Sequence, residues 1–133
     1  MSTQTIASKR REMIALLGEL SDGTIQKRLW IDSEDAPNVS GIDEVFHFLF
    51  DDTDLGKAPY SEVGRILENT VEADRIAALC KALVGMLNRL GDVPAHAFIA
   101  DSEWSAVMKL AASALECTSK ASIANSPKDS KSM

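Results

Sequence analysis

The sequence has few of the residues that most often carry chemistry. It holds two cysteines, two histidines and 5% aromatics in 133 residues. Cys80 and Cys117 are too few for a disulfide framework and too far apart for a paired CxxC metal motif. Each falls inside a helical pattern with apolar neighbours and no nearby histidine, so both are expected as buried, reduced thiols and not as nucleophiles. His47 stands between Phe46 and Phe48, and His96 between two alanines. Both read as packed side chains with one satisfied nitrogen, not as bases or ligands. HExxH, GxSxG and a phosphate-binding glycine loop are all missing. No apolar run approaches the roughly 18 residues that a membrane span needs. Residues 2–11 lack the apolar core of a signal peptide, so a cytoplasmic location is expected. No cofactor is expected either.

What is present is ordinary globular material, 45% hydrophobic and 26% charged. A chain of this length fits one domain and can bury about two thirds of its unfolded surface without a metal or a disulfide. The net charge is −6, and it is unevenly spread. Residues 29–56 carry eight acids and no base, which leaves 12 acids and 14 bases elsewhere. That stretch therefore holds −8 and the remainder +2. It also contains Trp30 and three of the four phenylalanines. A concentrated negative field repels phosphate backbones, disfavours nucleic acid, and attracts a basic protein. A solvated acidic face with no partner is the plainer alternative.

Hydrophobic periodicity sets the fold class. Ile6, Met13, Leu17 and Leu20 recur at helical spacing over 3–20, with Ile14 and Leu16 widening the stripe. Asp22 is placed to cap a short helix over 23–31, although Leu29-Trp30-Ile31 also has strand character. Residues 32–40 have loop composition, and Ser40 with Asp43 resembles a capping box opening a helix over about 41–50. Ile42, Val45, Phe46 and Leu49 share one face of that helix; Phe48 and Phe50 make it apolar almost all round, so it is expected to be central. Asp51, Asp52 and Asp54 follow at its C-terminal end, against the negative pole of the helix dipole. Loop amides or a guanidinium of Arg10, Arg28 or Arg65 are expected to compensate them.

Pro59 suits the first turn of a helix over 59–67 with Val63, Ile66 and Leu67 inward. Asn69 and Glu72 form a capping-box pattern for the longest helix, about 71–90, ended by Gly91. A short helical turn is expected over 95–100. Asp101 or Ser102 then caps a last helix with Trp104, Val107, Met108, Ala111 and Leu115 on its face, ending near Cys117. The result is an all-α, single-domain bundle of five to six helices over 1–117, around the 41–50 and 71–90 helices, with 118–133 as a disordered tail.

Asp52-Thr53-Asp54 matches the first two ligand positions of a calcium loop, but the match then fails. Gly56 stands fifth, Lys57 takes the place of the turn glycine, and Val63 occupies the position of the bidentate glutamate. No metal ligand is assigned on this basis.

Phe48-Leu49-Phe50-Asp51-Asp52-Thr53, with Arg28-Leu29-Trp30 upstream and Ser102-Glu103-Trp104 near the last helix, resembles a family of small uncharacterised bacterial proteins. That family carries a Phe-Asp-Asp-Thr signature after an apolar run and a Trp in a C-terminal helix; the likeness covers about residues 10–116. It implies a compact cytoplasmic bacterial domain and supplies no catalytic residues. In general character the chain is also similar to the immunity proteins that neutralise toxins.

Taken together, these features point to a non-catalytic acidic domain that binds a basic protein, an immunity protein being the concrete form. The expected partner-binding residues are Trp30, it or a Phe serving as a buried anchor in the complex, with Asp32, Glu34, Asp35, Asp43, Glu44, Asp51, Asp52 and Asp54. The alternatives are a divalent-metal-dependent hydrolase using Asp51, Asp52 and Asp54, and a structural or adaptor protein in which those residues only end a helix.

Overall fold

In a computed structural model, which describes residues 2–31, 41–91, 93 and 95–124, the three strongest amphipathic stretches form the three long helices. They are α1 (Ser2–Leu20), α4 (Thr70–Leu90) and α6 (Trp104–Ala124). Between them lie α2 (Gly23–Gln26), which continues as a π-helical turn over Lys27–Ile31, and α3 (Gly41–Phe46), which continues as a second π-helical turn over His47–Asp52. A 3-10 turn, Pro59–Glu62, and α5 (Ala95–Ala100) complete the order. The described residues contain no strand beyond one isolated bridge between Val63 and Leu67. The fold is all-α, and the segment from Gly23 to Ile31 is helical throughout.

The caps follow the sequence chemistry. Asp22 accepts from the amides of Thr24 at 2.9 Å and Ile25 at 3.2 Å. Asn69 accepts from the Glu72 amide at 3.0 Å, and Gly91 ends α4 at a φ of 81°. Asp101 Oδ2 accepts from the Glu103 amide at 2.9 Å, while the Asp101 carbonyl takes the Trp104 amide.

α6 lies between α1 and α4, and these two pairings are the most extensive in the fold. Small residues on α6, Ala111 and Ala114, are fully buried and let its neighbours approach closely. Met13, Leu17 and Leu20 of α1 and Ile76, Leu79, Leu83 and Met86 of α4 belong to the common core. The 41–52 segment enters the same core through Ile42, Val45, Phe48 and Leu49. Phe46 and Phe50 are only half buried, stacked on each other at 6.1 Å.

Three expectations are corrected here. The helix over 59–67 ends after one turn at Glu62, because Gly64 adopts a φ of 89° and its amide bonds back to the Leu67 carbonyl at 2.8 Å. The last helix does not stop near Cys117; it continues to Ala124. Thr118, which looked like the start of a polar tail, is fully buried, and its hydroxyl donates to the Ala114 carbonyl at 2.9 Å. Of the proposed tail, 125–133 lies outside the described residues. Finally, two of the three arginines expected near the Asp cluster serve elsewhere, Arg10 on Glu72 and Arg65 on Glu62.

A tight turn follows the second π segment. Thr53 is buried and donates to the Phe48 carbonyl at 2.9 Å, and the Gly56 amide donates to the Leu49 carbonyl at 2.8 Å. A Cβ on Gly56 would overlap the Phe50 ring. Gly56→Ala is therefore expected to destabilise the protein by about 1–3 kcal/mol through overpacking. A lower urea midpoint at unchanged m-value would show it.

An electrostatic clamp joins α4 to the start of α6. Arg89 donates to Asp101 through two nitrogens at 2.9 and 2.7 Å and lies 3.3 Å from Glu103. The Arg89 hydrogen bonds, helped by the Glu103 amide, hold the Asp101 carboxyl down at about 2. A depressed carboxyl stabilises the fold above its ordinary range, and that contribution is lost as pH falls through the folded value. Between pH 5 and pH 2, urea midpoints are thus expected to fall less steeply for Asp101→Asn than for the parent chain.

Candidate functional site: an acidic cleft beside the second π turn

Helix α1 and the 41–52 segment leave a cleft of about 290 Å³ between them. Its floor is apolar: Leu16, Val45 and Phe48 are buried core residues, with Ala15 beside them. Its walls carry four carboxylates, Glu12 and Glu19 from α1 with Glu44 and Asp52 from the other side, together with His47. Lys9 stands beside two of its lining residues, its Nζ 3.8 Å from Asp52 Oδ2 and 5.8 Å from the centre of the Phe48 ring. Four carboxylates against one ammonium leave the cleft negative whichever state His47 adopts.

Each wall is set by helix geometry. Glu12, Leu16 and Glu19 follow at i, i+4 and i+7, which places them on one stripe of α1 beside its core face. Val45 and Phe48 turn inward, so Glu44 and His47, each one position earlier, stand at the rim. Glu19 has a second task, accepting from Trp30 Nε1 at 3.2 Å.

The structure brings only part of the expected site together. Glu44 and Asp52 line the cleft. Asp43, Asp51 and Asp54 are exposed around it in sequence but are not among its lining residues. Asp32, Glu34 and Asp35 lie outside the described residues. Trp30 is corrected: at 5% exposure it is a core side chain, its ring edge-on to Trp104 at 6.1 Å. It anchors the protein's own interior and offers an approaching partner almost no area. Both histidines are corrected as well. His96 is exposed, and the His47 side chain is 63% exposed, with each ring nitrogen facing a carboxylate. An apolar sequence neighbourhood suggested burial, but the neighbours Phe46 and Phe48 turn away from His47 around the helix.

Glu12, Glu19 and Lys9 were missed because they lie 10 to 20 residues before the acidic stretch of residues 29–56 in sequence. The signal that could have found them is the acid-apolar-acid stripe Glu12, Leu16, Glu19 alongside the core face of α1.

Elsewhere the polar chemistry is structural. Cys80 and Cys117 are free thiols; burial pushes Cys80 up to about 12, which leaves it inert near neutral pH. The Tyr60 hydroxyl is hydrogen-bonded to Asp74, which raises its pKa. Among the described residues, no group of three or more His, Cys, Asp or Glu is arranged to hold a metal ion. No described helix is long and apolar enough to cross a membrane.

These features define a compact all-α fold that carries an acidic cleft with an apolar floor. The chain belongs to a family described as a domain of unknown function (DUF7945), whose model matches residues 6–126. No curated protein and no solved structure matches the chain.

Proposed function

We propose that this domain is a non-catalytic binding module that receives a basic protein at the cleft between α1 and the 41–52 segment. The observation that supports the reading is the pairing of an apolar floor with a carboxylate rim: Leu16, Val45 and Phe48 lie beneath Glu12, Glu19, Glu44 and Asp52. The aliphatic stem of a lysine or arginine fits such a floor while its charged head meets the rim. Neutralising a basic toxin, as immunity proteins do, is the concrete form of this activity. Carboxylates would then cover the phosphate-binding surface of the toxin and speed the encounter electrostatically.

The test is capture on the immobilised chain from its native lysate at low salt, followed by a salt gradient and mass spectrometry. The reading expects a stoichiometric basic protein that moderate salt releases. It also expects that Glu12→Gln with Glu44→Gln weakens retention of that protein by about tenfold, the scale of one to two rim charges. Equal retention by the parent and the doubly substituted chain, both folded by circular dichroism, would overturn it.

A further inference from the structure

An imidazole set between two carboxylates satisfies both only when each ring nitrogen carries a proton. His47 is placed in this way: Nδ1 is 3.1 Å from Asp51 Oδ2, and Nε2 is 3.2 Å from Asp52 Oδ1. A neutral ring has one N–H and one lone pair, so one of the two carboxylates would face a lone pair across the same distance. The arrangement fits the imidazolium, and loss of its proton must break one contact.

The π-helical turn makes the double contact possible. In an α-helix residue i+4 lies over residue i, while i+5 is carried well around the axis. A π turn closes through i→i+5 hydrogen bonds, so i+4 and i+5 fall to either side of residue i. His47–Asp52 is such a turn, and it sets Asp51 and Asp52 on the two edges of one ring. The sequence supplies a histidine with acids four and five positions later; the widened turn is what makes them converge.

We propose that His47, Asp51 and Asp52 form a proton-operated clasp on the rim of the cleft. With the imidazolium, both carboxylates are tied to the ring and the π turn is locked. When the proton leaves, one of the two carboxylates loses its donor and the turn loosens, while the rim becomes more negative by one charge. Asp52 has a second cation besides the ring, Lys9 from α1 at 3.8 Å. The other charged groups lining the same cleft are Glu12 and Glu19 from α1 and Glu44 from α3, all acidic. Histidine as a residue type changes charge between about pH 5 and 8. The clasp stands whether or not the cleft receives a partner, because its parts lie within one turn.

The experiment is NMR of the full chain from pH 5.5 to 8, following the His47 ring nitrogens, the Asp51 and Asp54 carboxyl carbons, and amide exchange over 48–53. The clasp expects the Asp51 carboxyl signal to move with the same midpoint as the His47 ring, while Asp54 does not follow it. Exchange of the turn amides, corrected for intrinsic pH dependence, is expected to rise by about two- to fivefold on the alkaline side, the scale of an exposed ion pair. In His47→Gln both effects vanish, and exchange stays at the faster value throughout. An Asp51 signal that ignores the His47 titration, or an unchanged pH dependence in His47→Gln, would overturn the proposal.

Discussion

Arg10→Ala is expected to lower the unfolding free energy by about 3–5 kcal/mol, the cost of stranding one member of a buried ion pair. Glu72 is fully buried at the first turn of α4, and Arg10 meets both its oxygens at 3.0 Å. The same guanidinium donates to the Ile66 carbonyl at 2.6 Å and to the Thr118 carbonyl at 3.0 Å. Glu72 Oε1 also accepts from the Glu68 amide at 2.8 Å. One side chain therefore ties α1 to the 62–68 turn, to α4 and to α6. Removing it leaves a carboxylate in the interior with only backbone amide support, and two carbonyls lose a charged donor. Urea unfolding of the parent and the variant at pH 7 checks this result. Arg10→Met combined with Glu72→Met is expected to cost less than the two single changes added together, because no unpaired charge remains. Strict additivity would show that the pair does not act as a unit.

Trp104→Ala carries the second large effect, again about 3–5 kcal/mol, as expected for removing a large buried aromatic. The ring is 3% exposed and meets Trp30 edge-on. Its Nε1 donates to Gln26 Oε1 at 3.0 Å. Gln26 is itself buried and donates to the Glu19 and Leu20 carbonyls at 2.8 and 3.0 Å, closing the C-terminal end of α1. Trp104→Phe keeps most of the volume but strands the Gln26 oxygen, for about 1–3 kcal/mol. The difference between the two variants, measured by the same urea titration, separates packing from the hydrogen bond. A Phe variant as unstable as the Ala variant would place the whole effect in the polar network.

The helices that were readable in the sequence are those whose signals are local. α1 and α4 have long apolar stripes, α4 has Asn69 at one end and Gly91 at the other, and Asp22 and Asp101 act within three residues of themselves. α6 was readable only in its first part. Its apolar face fades after Leu115, and the continuation to Ala124 depends on a threonine that satisfies its own hydroxyl within the helix. Its carbonyl is held by Arg10, 108 positions away. The short helix at Pro59 was overextended because Ile66 and Leu67 are inward as a helix would place them. They are inward by way of a glycine turn.

The candidate site divides in the same manner. Glu44 and Asp52 were legible as members of an acidic stretch, because charge concentration is a property of composition. Glu12 and Glu19 join them only because α1 packs beside the 41–52 segment, a relation that no local pattern encodes. Trp30 looked like a partner anchor, since large aromatics often play that role, but its indole found Glu19 and Trp104 within the same chain.

The sequence by itself determined an all-α domain, the positions of its long helices and most of their caps, and where its negative charge is concentrated. These depend on periodicity, on side-chain bonds spanning a few residues, and on counting. Only the tertiary structure decided that Arg10 and Glu72 join four elements, that α1 supplies half of the acidic cleft, and that a widened turn sets His47 between two aspartates. The physical reason is that these outcomes are fixed by how helices pack and how buried polar groups find partners across the fold, and those partners lie far apart along the chain.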